Sequence, residues 1–208
     1  MRPLTDNTAK PLLKVAGKAL IEYHLEALSR AGIRQLVINH AWCGAQLEAA
    51  LGSGEQYGVE IVYSAEVPEA LETAGGIIQA LPLLGSEPFI VVNGDIWTDY
   101  DFSKLSLPKG MLAHIILIDN PPQHPDGDFY LHQNQLVKQG AHKLTFSGIG
   151  VYHPDLFIDC EPGRRPLAPI LRKAIESTKV SGEHFDGNWF DIGTPERLIE
   201  LDSRLSKS

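Results

Sequence analysis

The run Phe89-Ile90-Val91-Val92-Asn93-Gly94-Asp95 constrains the fold more than any other stretch. Its apolar part is unbroken rather than alternating, the mark of a strand covered on both faces, and it ends in a glycine turn that delivers one acid. A second apolar run, Asn188-Trp189-Phe190-Asp191-Ile192-Gly193-Thr194, is interrupted by a single carboxylate. In open α/β sheets, ligands bind beyond the carboxyl ends of strands. Asp95 and Asp191, brought there from distant strands, could hold one Mg²⁺ between them, because that ion takes a couple of carboxylates together with substrate phosphates. The pair points to phosphate chemistry.

The pattern around these runs predicts the rest of the sheet. Leu20, Ile21, Leu25 and Leu28 form one stripe of a helix over 19–31, with Gly32 as its cap. Strand signals at 36–38 and 59–63 alternate with helical ones at 45–51 and 76–84, and further strands are expected at 89–92 and 111–118. This order predicts a Rossmann-like α/β fold, with a mixed, mainly parallel sheet and helices on both faces. Beyond it, 128–131, 135–138 and 144–152 read as short antiparallel strands forming a small lobe. A helix at 168–177, a strand at 180–185 and a closing helix after Pro195 follow. Pro195 suits a first helical turn, and Thr194 can cap it. The 208 residues are expected to form a single domain, whose character changes between about 1–118 and about 119–208.

Composition narrows the partners. A net charge of −8 argues against a nucleic-acid backbone or an anionic membrane. No run approaches a membrane span, and the start is no signal peptide, so a cytoplasmic location is expected. Cys43 and Cys160 form no disulfide framework or zinc spacing and read as two small semi-buried residues. The histidines of the 120–127 loop also lack metal-ligand spacing. No feature points to a protein partner, and a monomer is mildly favoured.

Several short motifs remain. Lys10 precedes Pro11 and is therefore held extended, where a lysine can present a compact charge to a phosphate. Leu71-Glu72-Thr73-Ala74-Gly75-Gly76 precedes helical sequence. Its glycines could let a base or ribose approach the backbone at a helix N-terminus, or could form a plain tight turn. Asn39-His40-Ala41-Trp42 follows a strand, at the binding edge, where a lone histidine is more often structural than catalytic. Phe146-Ser147-Gly148-Ile149-Gly150 is a glycine-broken strand against which a sugar could lie.

Taken in order, Arg2-Pro3-Leu4-Thr5, Lys10-Pro11, Asn93-Gly94-Asp95 and Trp189-Phe190-Asp191-Ile192-Gly193-Thr194 resemble the sugar-1-phosphate nucleotidyltransferases, over essentially the whole chain. The finer wording at 38–42, 71–76, 93–102 and 146–149 resembles the branch of that family that acts on N-acetylmuramate 1-phosphate. The resemblance implies UTP and a sugar 1-phosphate as substrates, Mg²⁺ at Asp95 and Asp191, and pyrophosphate as the leaving group. Lys10 would neutralise the transferring phosphate and the sugar phosphate, and Arg2 would hold the triphosphate. Gly75, Gly76, Asn93 and Asp95 would serve the nucleotide. Glu72, Ser147, Gly148 and Asp191 would lie toward the sugar. Glucose- or mannose-1-phosphate with dTTP, UTP or GTP are the alternatives within the family. Outside it stand a glycosyltransferase, for which Asp99-Tyr100-Asp101 has the Asp-x-Asp spacing, and a non-catalytic nucleotide-sugar binder. Lys10-Pro11 and the 189–194 segment are unexplained by a glycosyltransferase.

In the family an apolar strand and a glycine-rich loop, together about a dozen residues, precede the Arg-Pro-Leu-Thr stretch, and the loop amides cradle phosphates. This sequence starts after that place. An internal methionine taken as Met1, or a trimmed start, is expected rather than a crippled enzyme, because the other motifs are intact. The 208-residue polypeptide is expected to be much less active than a version with the strand and loop restored. Pyrophosphate release measured on both checks this, and equal turnover overturns it.

Overall fold

The computed structural model describes residues 1–67 and 70–207. In chain order its regular elements begin with β1 (Lys14–Val15), β2 (Lys18–Ala19), α1 (Leu20–Arg30), β3 (Gln35–His40), α2 (Gly44–Leu51) and β4 (Glu60–Ala65). Next come α3 (Glu72–Leu84), β5 (Phe89–Val92), β6 (Ile96–Thr98), β7 (Ala113–Ile118), β8 (Phe129–His132) and β9 (Gln135–Val137). The chain closes with β10 (Lys143–Tyr152), α4 (Leu167–Glu176), β11 (Val180–His184), β12 (Trp189–Asp191) and α5 (Pro195–Leu205). Two compact units result: Met1–Ala70 with Asn93–Ser103 and Asn188–Ser208, and Leu71–Val92 with Lys104–Gly187.

In the first unit, β3 and β4 pair in parallel, and α1 and α2 bury Ile21, Leu25, Leu47 and Leu51 with Val59 and Ile61. The helix ends follow local chemistry. The Glu22 carboxylate accepts the Ala19 N–H at 2.7 Å, as the N3 acid of a capping box does. At the other end Gly32, at φ +85°, lets Ile33 N–H reach Leu28 O at 3.0 Å, a Schellman closure. A second apolar cluster, Leu13, Val15, Leu20, Ile192 and Leu201, joins the β1–β2 hairpin to β12 and α5. Thr194 caps α5 through Arg197 N–H at 3.4 Å, with Pro195 in its first turn, as its sequence predicts.

The second unit is built on a six-stranded sheet of order β5-β10-β7-β11-β9-β8. Every residue of β7 is buried, so both its faces are covered. Its core joins Ala74 and Ile77 of α3 and Leu167, Leu171, Ala174 and Ile175 of α4 to Ile115, Leu117 and Tyr152. The fold is α/β with mixed sheets, but its parallel share is smaller than expected, since only β3–β4 and β7–β11 run parallel among the described pairings. The reason is β10, ten residues long, which inserts antiparallel between β5 and β7. Its register with β7 shifts between Phe146 and Gly150, a bulge where Gly148 takes φ +83°.

Helix α3 begins at Glu72, so the paired glycines lie inside the helix rather than ahead of it. Packing outweighs propensity there: the Ala74 and Gly75 N–H groups both donate to Arg165 O at 3.1 Å, and Arg165 N–H donates to Leu71 O at 2.8 Å. A methyl group at Gly75 would run into Gly163 O, so only glycine lets the helix and that segment meet.

Tyr152 is fully buried, and its hydroxyl has no hydrogen-bond partner among the described residues. An unpaired buried hydroxyl costs about 1–3 kcal/mol. Tyr152→Phe is therefore expected to be neutral or stabilising, by up to about that amount, in urea or thermal unfolding; a clear loss of stability would show that the hydroxyl has a partner.

Candidate active site

The expected acids meet at one end of the β6–β12 ladder. Asp191 pairs with Ile96, and Ile192 N–H donates to Asp95 O at 2.9 Å, so the turn at Asp95 lies beside the end of β12. Each acid carries its own cation. Lys10 Nζ donates to Asp95 Oδ2 at 2.8 Å, and Arg197 Nη1 donates to Asp191 Oδ2 at 2.6 Å. These side chains are only partly exposed, between 27% and 43%. The second oxygen of each carboxylate lies outside these bonds. Gly94 faces the Pro11 ring, with 3.4 Å between its would-be Cβ and Pro11 Cγ, which keeps the Lys10–Pro11 segment against the acid turn. Asn93 belongs to the same turn.

Lys10 also lines a cleft of about 700 Å³ together with Arg2, Asn39, His40 and Trp42. Arg2 Nε is 3.3 Å from Asp6 Oδ1, and its side chain is almost wholly exposed. Trp42 is 70% exposed and tied by its indole N–H to Thr5 O at 3.2 Å. His40 stands 2.8 Å from Glu48 Oε1, packed against Gly44, which suits the structural role expected of it. The cleft therefore gathers both proposed catalytic cations and a large exposed aromatic ring.

The remaining predicted residues belong to the second unit. Glu72 sits at φ +61°, in the left-handed region, and its Oε1 accepts Arg164 Nε–H at 2.9 Å. Gly75 and Gly76 are buried in α3. The Arg165 carbonyl occupies the amides of Ala74 and Gly75, so these groups are not open to an anion, contrary to one reading of the glycines. Ser147 is buried, and its hydroxyl donates to Ile116 O at 2.8 Å and accepts Ile149 N–H at 3.2 Å; it shapes the bulge from within, and Gly148 follows it.

Sequence reasoning missed three participants. Arg197 had a signal, since it lies in the first turn of the helix that Thr194 caps. Gly193 makes room for the pair, because a Cβ there would stand 3.0 Å from Arg197 Nη1 and 3.2 Å from Asp191 Oδ2. Arg164 had none, since its partner Glu72 is 92 residues away. The third is His24, on the buried face of α1 between Leu20 and Leu28. Its Nε2 lies 2.8 Å from Ile96 O, which can only accept, so the ring carries its hydrogen on Nε2. His24 thus fixes the start of β6, one residue after Asp95.

Asp99 and Asp101 are engaged elsewhere. Asp99 Oδ1 accepts Asn188 N–H at 2.9 Å and its Oδ2 accepts Asn188 Nδ2–H at 2.7 Å, while Asp101 Oδ1 accepts both donors of Ser103. No group of three or more histidine, cysteine, aspartate or glutamate side chains is poised to hold a metal among the described residues. Nor is any helix there long and apolar enough to cross a membrane.

A mainly open α/β scaffold with two cation-paired acids and a cationic cleft is the setting for phosphate transfer, and the chain belongs to the nucleotidyl transferase family, whose model matches residues 1–108. It is 53% identical to the N-acetylmuramate alpha-1-phosphate uridylyltransferase of Neisseria meningitidis serogroup B, over 96% of this chain and 90% of that protein. It is 32% identical to the protein of that name from Caulobacter vibrioides, over 100% of this chain and 93% of the other. Among solved structures, UDP-glucose pyrophosphorylase complexed with UDP-glucose superposes with a TM-score of 0.74 at 19% identity, covering 100% of this chain and 94% of that one. HddC from Yersinia pseudotuberculosis complexed with GMP-PN gives 0.76 at 19% identity, covering 99% and 93%. The fold is the Rossmann-like one of nucleotide-sugar transferases.

Burial holds the His24 pKa below its ordinary value of 6.5, against the opposing pull of its bond to Ile96 O and of nearby Asp95. A base whose pKa is lowered on folding binds fewer protons in the folded state, so its contribution is complete above pH 6.5 and lost as pH falls toward the folded value. Thermal melts are expected to show wild type losing stability relative to His24→Asn below about pH 6.5. Parallel melting curves across that range would rule this out.

Proposed function

We propose that this chain transfers UMP from UTP to N-acetylmuramate 1-phosphate, giving UDP-N-acetylmuramate and pyrophosphate. The observation that carries the chemistry is the Lys10–Asp95 pair at 2.8 Å, with Lys10 facing the same cleft as Arg2. The two uridylyltransferase relatives support the choice of nucleotide and sugar.

An oxygen-only donor set of two partly exposed carboxylates, each with an oxygen outside its ion pair, fits Mg²⁺, which needs no dedicated protein cage. Held by Asp95 and Asp191, that ion would supply charge neutralisation at the phosphate oxygens. Lys10 exchanges its bond with Asp95 for the transferring phosphate and the sugar phosphate, and Arg2, tied to Asp6 at the surface, holds the triphosphate. Asn93 serves the nucleotide, while Glu72, Asp191 and the strand at Ser147 and Gly148 serve the sugar; Gly75 and Gly76, expected beside the nucleotide, are buried in α3, and Gly75 is left to the packing of that helix against Gly163 and Arg165. On this reading the nucleotide part spans about 1–118 and the sugar part about 119–208. The sugar phosphate oxygen attacks the α-phosphorus in line, and pyrophosphate leaves. The attacking group is already ionised, so positioning and charge neutralisation suffice without a general base. The reading assigns the step to peptidoglycan recycling in the cytoplasm, with UTP and the sugar phosphate as its partners.

A glycosyltransferase reading through Asp99 and Asp101 is disfavoured, since both carboxylates already serve as acceptors within the fold. Pyrophosphate release with Mg²⁺, UTP and N-acetylmuramate 1-phosphate tests the proposal. Lys10→Met is expected to lower that rate by about 10²–10³-fold, the usual effect of removing one preorganised charge partner. Turnover only with glucose- or mannose-1-phosphate would move the enzyme to another branch. Binding of nucleotide-sugars without any pyrophosphate would make it a non-catalytic binder.

A further inference from the structure

With Gly75 and Gly76 packed inside α3, the uracil of UTP needs another platform. The present inference rests on the proposed function, which puts the triphosphate on Arg2 and Lys10. Those two cations line one cleft together with Trp42, and all three residues belong to the first unit.

Tryptophan carries a large apolar surface and is highly buried on average. Trp97 and Trp189 are partly buried, and Trp97 packs against Tyr23 and Phe190. Trp42 is 70% exposed. Looseness does not explain that exposure, because the ring is held. Its indole N–H donates to Thr5 O at 3.2 Å. The next residue, Cys43, takes φ +57°, a left-handed conformation that a residue other than glycine adopts only under constraint. A Cβ at Gly44 would fall inside the His40 ring, so only glycine lets the 41–43 turn close against the end of β3.

The same turn is tied to the segment that carries the lysine. Gln46 of α2 accepts Ala9 N–H through Oε1 at 3.2 Å, and its Nε2 donates to Asn7 O at 2.8 Å. Together with the Trp42–Thr5 bond, these contacts fix residues 5–9 against the turn and the start of α2, and Lys10 follows directly. One bonded frame therefore positions both the exposed ring and the phosphate-facing cation. It lies beyond the carboxyl end of a parallel strand, where α/β sheets bind ligands. A nucleotide asks for this combination: cations for its phosphates and a fixed aromatic face for its base.

We propose that the Trp42 indole is the platform on which the uracil of UTP stacks, with the triphosphate running to Lys10 and Arg2. The strained turn keeps the ring exposed while the cleft is empty, so that no rearrangement is needed when the nucleotide arrives.

Titration calorimetry on the full chain with Mg²⁺ compares UTP with inorganic tripolyphosphate, which keeps the phosphates and lacks the nucleoside. Wild type should prefer UTP. Trp42→Ala should reduce that preference about tenfold by weakening UTP alone, and Trp42→Phe, which keeps a stacking face, should restore most of it. Indole fluorescence gives a second readout: UTP should quench wild type and leave Trp42→Phe unquenched although that variant still binds. Because Trp42 is exposed, melting temperatures should stay within a few degrees of wild type, which excludes a folding defect. Equal weakening of both ligands by Trp42→Ala would make the ring a brace for the 5–10 segment, and an unchanged preference would remove it from recognition. Weakening of N-acetylmuramate 1-phosphate in place of UTP would give the ring to the acceptor, and quenching that survives in Trp42→Phe would put the base beside another tryptophan. Each of these overturns the inference alone. A wild-type chain that binds neither UTP nor tripolyphosphate would sink the underlying reading as well.

Discussion

Three residue pairs, Trp189 with Thr98, Phe190 with Trp97 and Asp191 with Ile96, hold the first unit closed. They join stretches of chain that are about ninety residues apart, and Asp95 and Asp191 sit at one end of the ladder they form. So short a ladder is marginal by itself. It persists because it is fastened on several sides. Asp99 accepts two hydrogen bonds from Asn188 and returns one from its own N–H to Asn188 O at 3.2 Å. His24 holds Ile96 from α1, and Ile192 is buried with Leu201 of α5. The same packing that seats Ile192 fixes Asp191 next to it and brings Arg197 into reach.

The charges at that end are arranged for exchange rather than for permanence. Ion pairs as exposed as Lys10–Asp95 and Asp191–Arg197 contribute little to stability, typically about 0–1 kcal/mol. A phosphate or a cation can therefore replace one partner without unfolding anything. A buried pair would resist such replacement, because separating it leaves an uncompensated charge in a poor solvent. On the proposed function, this is how a protein of net charge −8 would attract phosphates, its few site cations held in position on acids.

Much of this was legible in the sequence, and the failures have physical causes. Periodicity located the helices, and the unbroken apolar runs located β5 and β7, because burial leaves a direct mark on composition. The two acids could be named because a lone charge in or after an apolar strand contradicts its surroundings. Lys10 was expected to be held extended by Pro11, yet Lys10–Leu12 forms a 3-10 turn with Pro11 in its first positions, where a missing N–H costs nothing. The place of β10 was not legible: strand order depends on pairings between distant segments, and its antiparallel insertion lowered the parallel share of the sheet. The start of α3 was misplaced because glycine propensity argues against helix, whereas the contact with Gly163 argues for it more strongly. Asp99 and Asp101 had the spacing of a metal motif, yet their acceptor capacity goes to Asn188 and Ser103, which spacing alone cannot reveal.

The amides at the start of α3 carry a further consequence. A glycine-rich helix N-terminus usually offers N–H groups to an anion, but here those of Ala74 and Gly75 already donate to the Arg165 carbonyl. This helix end is therefore closed by its own chain rather than left open. Gly75 makes the closure possible, because a side chain there would meet Gly163 O and push the loop off the helix. The bond from Arg164 Nε to Glu72, across 92 residues of sequence, depends on the same close approach. One glycine thus decides whether two distant segments of the second unit can meet.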